Sequence, residues 1–269
     1  MPDNKISQLS RSIAGKVALV TGSASGMGRA TAYLFADEGA KVAVVDRNAE
    51  GVEETVKTIQ DAGKDARGWI LDLTKASDIP RVIEEVVAEM GGLDILVNNA
   101  GIDASARIQS KRYEEVWERC FEINLNALHR TIRAALPHLQ KSGEGRIVNI
   151  ASTEGVGGSA FASPYTAAKH GVIGLTRALA VELGTQGVTV NCICPGAIRT
   201  GLTEVIPEEH KDKFARRRVP LKRYGLAEEI AHGVFTFVVP GASYINGATL
   251  MVDGGFSIQN NGSSVMPDQ

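Results

Sequence analysis

The 269-residue sequence predicts an α/β fold, a doubly wound parallel sheet of about seven strands with helices on both faces. Three observations carry this expectation. Short apolar runs alternate with segments of helical periodicity along almost the whole chain. Runs such as Val17 to Val20 and Val42 to Val45 are continuously apolar, as in strands buried on both faces. Most runs stop at glycine, asparagine, aspartate or serine, which gathers polar groups along one edge of the sheet, beyond the carboxyl ends of its strands.

The first run, Lys16 to Gly22, contains Val-Ala-Leu-Val and ends on Thr21-Gly22. A glycine-rich turn, Gly22-Ser23-Ala24-Ser25-Gly26-Met27-Gly28, leads into a helix from Arg29. Glycines at a strand-to-helix turn allow unusual backbone angles, let a pyrophosphate approach the main chain and expose the free amides of the helix. The turn is a dinucleotide site in kind, although its spacing is Gly-x-x-x-Gly-x-Gly. The second strand, Lys41 to Asp46, ends on an acid followed by Arg47. An acid there, roughly 20 residues past the glycines, accepts hydrogen bonds from an adenosine ribose and repels a 2′-phosphate, so NAD is expected over NADP. Asp46 also suits a cap for the helix near Ala49. Arg47 can meet a 2′-phosphate, which leaves dual specificity open.

The alternation continues with a helix over about 49–62, a strand from Ala66 to Leu71 ending at Asp72-Leu73, and a helix over about 76–90. The strand Leu93 to Val97 runs into Asn98-Asn99-Ala100-Gly101, and a long helix over about 113–140 holds Asn124 near its middle. A fifth strand ends at Ser152, ahead of the helix that carries Tyr165 and Lys169; the sixth, Val188 to Cys194, is closed by Pro195-Gly196. Residues 200–224 interrupt the pattern and read as a lid of one or two short helices over a substrate. Its Arg216-Arg217-Arg218 run reads as a solvated helix face, since Glu204, Glu208, Glu209 and Asp212 lie nearby, although an acidic substrate could use it. A last helix over about 227–238 and a strand from Ala248 to Val252 end at Asp253-Gly254-Gly255. With no internal repeat or linker, a single domain is expected over 15–256, after a polar extension 1–14 and before a polar tail 257–269.

Composition excludes several classes. A net charge of −2 argues against nucleic-acid or membrane-surface binding by bulk electrostatics. The N-terminus lacks an apolar signal core and no run approaches the roughly 20 apolar residues that span a bilayer, so a cytoplasmic protein is expected. Cys120, Cys192 and Cys194 cannot all pair, and Cys192 and Cys194 share one face of a strand, which suits packing rather than metal ligation.

Tyr165-Thr-Ala-Ala-Lys169 places a phenol and an ammonium on one helical face, one turn apart. A phenol with a pKa of about 10 is a poor base at neutral pH, and a neighbouring cation lowers that value. By itself the pair also fits an ordinary helix surface. Its helix begins close after Ser152, at the strand edge where the glycine turn and Asp46 hold a dinucleotide.

Together these motifs resemble those of the short-chain dehydrogenase/reductase family, in its single-domain branch, from Gly15 to Phe256: Thr21 to Gly28, Asp72, Asn98-Asn-Ala-Gly101, Asn124, Ser152, Tyr165-x-x-x-Lys169 and Pro195-Gly-Ala-Ile-Arg-Thr200. The resemblance implies a Rossmann-like fold and NAD as cofactor. It makes Tyr165 the general acid/base, Ser152 the donor to the substrate oxygen, and Lys169 the group that lowers the tyrosine pKa and holds the nicotinamide ribose. Asn124 is then the residue whose main-chain carbonyl orders a water next to Lys169. Gly22, Ser25, Gly26, Met27 and Gly28 surround the pyrophosphate, Asp46 the adenosine ribose, and Asp72 and Leu73 the adenine. Asn99, Ala100, Gly101, Pro195, Gly196, Ile198 and Thr200 face the nicotinamide end. A homotetramer is implied, and no metal.

The expected substrate is a small-molecule secondary alcohol or ketone, in a pocket walled by Thr153 to Phe161, including Glu154, by Ile102 to Ile108, and by the lid; the pocket's glycines and small residues leave room for a bulky or cyclic group. Ser25 before Gly26, with Asp46 present, leans toward an NAD-linked dehydrogenase rather than an NADP-linked 3-oxoacyl-type ketoreductase. An epimerase or dehydratase would need a further substrate domain, and a non-catalytic NAD-binding scaffold would more naturally show a broken set of Asn124, Ser152, Tyr165 and Lys169.

Overall fold

In the computed structural model, which describes residues 6–259, the strands are β1 Val17–Thr21, β2 Lys41–Asp46, β3 Ala66–Ile70, β4 Ile95–Asn98, β5 Gly145–Ile150, β6 Val188–Pro195, the two-residue β7 Ile198–Arg199 and β8 Gly225–Leu226, and β9 Thr249–Val252. Seven of them form one parallel sheet in the order β3-β2-β1-β4-β5-β6-β9, while β7 and β8 pair separately. The order reverses between β1 and β4. At such a switch point the adjacent crossovers leave on opposite faces and open a crevice beyond the strand ends.

The helices are α1 Gly26–Asp37, α2 Ala49–Asp61, α3 Asp78–Met90, α4 Tyr113–Phe121, α5 Ala127–Lys141, α6 Ser163–Leu183, α7 Gly201–Glu204, α8 Glu208–Arg218 and α9 Ala227–Val238. Two apolar layers explain why the strands are largely apolar. On one face Phe35 of α1, Val52 and Ile59 of α2, and Ile230 and Val234 of α9 bury Val20, Val44 and Val148. On the other, Ile79 and Val86 of α3, Leu139 of α5 and Leu183 of α6 bury Leu19, Val45 and Ile147. A residue and its neighbour along one strand therefore serve different layers, and a buried polar side chain such as Asn149 is hydrogen-bonded to buried neighbours, Asn98 and Thr176.

Three details differ from the expectations. The helix over 113–140 is not uniform: residues Glu122–Asn126 form a π turn between α4 and α5, and the Ala127 amide donates to the Glu122 carbonyl, five residues back. The extension is not wholly peripheral, because Ile13 is buried in the first apolar layer and the Gly241 amide donates to the Ser10 carbonyl. The C-terminal segment continues past Gly255 into a 3₁₀ turn at Phe256–Ile258. The remainder of the expected tail, and residues 1–5, lie outside the described residues. The charged interruption holds α7 and α8, with Arg216, Arg217 and Arg218 exposed in the last turn of α8, where cations complement the helix dipole.

Candidate active site

At the switch point a cleft of about 360 Å³ opens between the ends of β1, β2 and β4. Its floor is main chain packed on main chain. Thr21 Oγ1 accepts from the amides of Asn99 (3.1 Å) and Ala100 (3.2 Å), and Asn99 Nδ2 donates to the carbonyls of Thr21 (3.0 Å) and Gly22 (3.1 Å). Side chains are excluded where this floor is tightest. A Cβ on Gly22 (φ +68°) would lie 2.7 Å from Ala100 Cα, and one on Gly28 would lie 2.2 Å from the Gly22 carbonyl oxygen. Such a cradle admits a flat or anionic group against backbone amides at the start of α1 and suits a dinucleotide pyrophosphate. Asn99 Oδ1 is buried with no hydrogen-bond partner, an acceptor left over at the same floor.

Most of the expected cofactor contacts line this cleft: Gly22, Ser25, Gly26, Met27, Asp46, Asp72, Leu73, Asn99, Ala100, Gly101 and Thr200. Thr200 faces the turn directly, since a Cβ on Gly26 would meet its Cβ at 3.3 Å. Gly28 instead packs beneath the wall. Asp46 does not cap α2; Asn48 does, accepting from the Gly51 amide (3.4 Å). Asp46 Oδ2 accepts from the Ala24 amide (3.1 Å) and Oδ1 from the Asn48 amide (3.0 Å), so its carboxylate is tied to the glycine turn and aimed along the cleft. The Asp72 carboxylate is held below its usual range by the Thr74 amide (3.0 Å) and hydroxyl (2.8 Å). Arg47 is exposed on the same wall and makes no ion pair among the described residues.

Beside the cleft, the other expected residues converge from different elements. Asn124 sits in the π turn, fully buried. Its Oδ1 accepts from the Ile102 amide (3.0 Å) while Nδ2 donates to the Ile102 carbonyl (3.1 Å) and reaches Cys120 Sγ (3.3 Å). Gly101 links this group to α6, because a Cβ there would lie 2.8 Å from Asn124 Oδ1 and 3.7 Å from Lys169 Nζ. Lys169 is buried, donates to the Ile150 carbonyl (2.8 Å), and holds its ammonium 5.4 Å from the centre of the Tyr165 ring. Ser152 follows β5 and accepts from the Glu154 amide (3.1 Å).

The electrostatics depart from the simple picture of a lysine that acidifies a phenol. Burial pushes Tyr165 up to about 12, with the Ser152 side chain pulling the other way and the Asp103 carboxylate adding to the rise. Burial also drives Lys169 down to about 8. Desolvation disfavours the charged form of both groups and is the largest cause of both shifts. Tyr165 is thus a neutral phenol at pH 7, ready to donate a proton.

Glu154 is occupied by its own loop: its carboxylate accepts from the Ser159 amide (3.0 Å), the Ser159 hydroxyl (2.6 Å) and the Thr166 hydroxyl (2.6 Å). Pro195, Gly196 and Ile198 lie outside the cleft wall; Gly196 is pressed against Asp253, 2.7 Å from where its Cβ would be, and Ile198 is buried. Sequence reasoning passed over Thr21, Val45, Leu71 and Ile123 as lining residues. Thr21 ends β1, Val45 precedes the last residue of β2 and Leu71 follows β3, the signal already used for their neighbours, whereas Ile123 lies in the π turn. Among the described residues no cluster suits a metal ion, and the three cysteines are free and buried.

Known proteins resemble this chain in sequence and in fold. Residues 16–211 match the family described as short chain dehydrogenase. The chain is 37% identical over 244 residues to the 3-oxoacyl-(acyl-carrier-protein) reductase FabG of Thermotoga maritima, covering 91% of this chain and 98% of that protein. It is also 37% identical to the D-beta-hydroxybutyrate dehydrogenase of Rhizobium meliloti, covering 91% and 99%. A crystal structure from Beutenbergia cavernae, of a candidate NAD(P)-dependent gluconate 5-dehydrogenase with NADP at low occupancy, superposes with a TM-score of 0.87 at 36% identity over 93% of this chain and 99% of that one. The family match covers well over half of the chain and the similarity to these relatives is nearly full length, and the chain belongs to the short-chain dehydrogenase family.

Proposed function

We propose that the protein interconverts a secondary alcohol and a ketone, with Tyr165 as general acid/base and NAD(H) as redox partner. The observation that carries this reading is the convergence of Tyr165 and Lys169 of α6, Ser152 after β5 and Asn124 of the π turn, from three parts of the chain, on the rim of a cleft built to hold a dinucleotide. When bound, NAD supplies the carbon that accepts or returns the hydride. In the reductive direction Tyr165 donates its proton to the substrate oxygen, and Ser152 donates a hydrogen bond to that oxygen as charge grows on it. In the oxidative direction Tyr165 takes the proton back. Lys169 holds a positive charge under the phenol and is placed by the Ile150 carbonyl to reach a ribose hydroxyl. Asn124 keeps residues 101–103 in place, and α7 and α8 serve as the lid. The reaction takes place within a unit spanning 15–256, in a cytoplasmic homotetramer; the assembly and location rest on the family resemblance.

NAD is favoured because the Asp46 carboxylate lies on the cleft wall, fixed by two amides, where a 2′-phosphate would approach it. NADP is the second reading. Arg47 stands next to Asp46 with no ion-pair partner among the described residues, and the Beutenbergia cavernae relative carries NADP. Initial rates with NAD and NADP at equal concentration, over a panel of secondary alcohols and ketones, test both. A clear NADP preference contradicts the role given to Asp46. Asp46→Ala is expected to narrow discrimination at least tenfold, the size of one lost charge contact.

A further inference from the structure

The charged helix α8 is held to the fold by different forces at its two ends. At the far end Phe214 packs on Phe256 (ring centres 5.6 Å apart) and on Tyr224 (6.0 Å), and Val219 is buried where the chain leaves the helix. At the near end Pro207 precedes α8 without a side-chain cap, and the bond from Arg199 Nη1 to Glu208 Oε2 (2.5 Å) is, among the described residues, the only hydrogen bond from the first turn to another element. The other oxygen, Oε1, accepts from Lys211 Nζ (2.8 Å). Lys211 is the unusual member of this group. Its side chain is 5% exposed, against 42% for Arg199 and 61% for Glu208, and Glu208 is its only ion-pair partner among the described residues. One carboxylate thus serves two cations, and Lys211 and Arg199 together hold it below the usual carboxylate range.

Arg199 leads directly to the cofactor wall. β7 pairs with β8 through Ile198–Gly225 and Arg199–Leu226 alone, and the next residues, Thr200 and Gly201, line the cleft, with Thr200 against the glycine turn at Gly26. On the β8 side of this ribbon the Glu229 carboxylate accepts from Arg223 (2.7 and 2.6 Å) and from the Leu226 amide (2.8 Å). On the β7 side the corresponding tie is Glu208.

On this geometry we propose that Glu208 is a positioning residue for the dinucleotide: by joining Arg199 to Lys211 it seats the start of α8 and sets Thr200 and Gly201 against the cleft. This deepens the proposed function, in which α7 and α8 form the lid over a dinucleotide, and rests on it. The strength of the tie comes from Lys211. An exposed ion pair such as Arg199–Glu208 contributes little by itself, whereas a buried ammonium that loses its counter-charge is driven out to water. For Lys211 that means lifting the first turn of α8, and Arg199 loses its partner in the same event.

The test uses the full chain and two readouts, amide hydrogen exchange without dinucleotide and the Kd of NAD and of NADP by fluorescence titration. E208Q, which keeps the size and removes the charge, is expected to speed exchange over residues 208–218 at least tenfold while β1 and β4 exchange as in the native protein. It is also expected to raise the Kd of the preferred dinucleotide about tenfold. R199Q keeps the buried pair, so it should weaken the dinucleotide with α8 still protected, a result that a merely structural role would not produce. E208Q/K211M removes the stranded cation and should restore protection of α8 without restoring affinity. Native exchange and native Kd in E208Q overturn the role of Glu208 while leaving the oxidoreductase intact. If E208Q also loses protection in β1 and β4 it has unfolded, and R199Q then decides: native affinity there overturns the proposal. A native protein that binds neither NAD nor NADP overturns the proposed function and the role of Glu208 with it.

Discussion

Tyr165 and Lys169 are both held away from their charged forms by burial, and their chemistry follows from that shared cause. A phenol raised to about 12 gives up its proton only to a substrate oxygen that needs it, or after another positive group joins Lys169 beneath it. Alcohol oxidation, which needs the phenolate, is therefore expected to rise with pH across at least pH 7 to 9, while ketone reduction does not; equal pH profiles in the two directions would argue against Tyr165 as the proton carrier. Tyr165→Phe should keep dinucleotide binding and lose turnover by roughly 10²–10⁴-fold, the range for a removed acid/base. Undiminished turnover in steady-state assays would refute the mechanism. For Lys169 the linkage has a definite sign. Its pKa is lowered on folding from 10.5 to about 8, so above pH 8 the unfolded chain binds more protons and stability rises with pH. Below pH 8 the cost of the buried cation is present in full. Lys169→Met, which removes that cost, should thus gain relative stability at pH 7 and lose the advantage by up to about 1.4 kcal/mol per pH unit between pH 8 and 10.5 in urea unfolding. A gap between variant and native protein that does not change with pH would show that Lys169 is not buried as a cation.

At the scale of elements, the π turn between α4 and α5 is an irregular part of the fold that lies beside the candidate site. An inserted residue in a helix is costly unless other contacts hold it, and here Asn124 supplies them through three bonds from one side chain. Asn124→Ala leaves the Ile102 amide and carbonyl unpaired near the cleft. Stability is expected to fall by about 1–3 kcal/mol, and turnover to fall further than that loss explains, because residues 101–103 would no longer be held. Thermal unfolding and kcat/KM measured on one preparation separate the two effects. Loss of stability with normal turnover would confine Asn124 to structure. The glycine turn works by the opposite principle, absence of side chains, since any Cβ at Gly22 or Gly28 would collide with backbone.

At the scale of the molecule, the reversal of strand order between β1 and β4 decides where function is located. The crossovers diverge there, leaving a cleft that the polar strand ends can fill, and helices cover the rest of both faces. Exposed apolar side chains remain elsewhere, among them Val181, Tyr244 and Leu250. The proposed homotetramer predicts a sedimenting particle of four 28.6-kDa chains at micromolar concentration. A monomer by equilibrium sedimentation would remove that part of the proposal.

What the sequence by itself determined is the order of elements and the edge on which chemistry collects. Continuous apolar runs such as Val42 to Val45 and stops such as Asp46, Asn98 and Ser152 are local signals, since period and punctuation follow from which side chains a buried strand and its turn accept. The spacing of Tyr165 and Lys169 was likewise legible, as a property of helical pitch. Tertiary structure alone decided what the spacing could not. The π turn at Glu122–Asn126 is tied through Asn124 to a distant loop at Ile102, and Glu154 is committed to Ser159 and Thr166. The protonation of Tyr165 and Lys169 belongs to the same category. A pKa depends on the water removed from around a group and on charges brought near it by folding, and neither quantity is carried by the residues on either side in the chain.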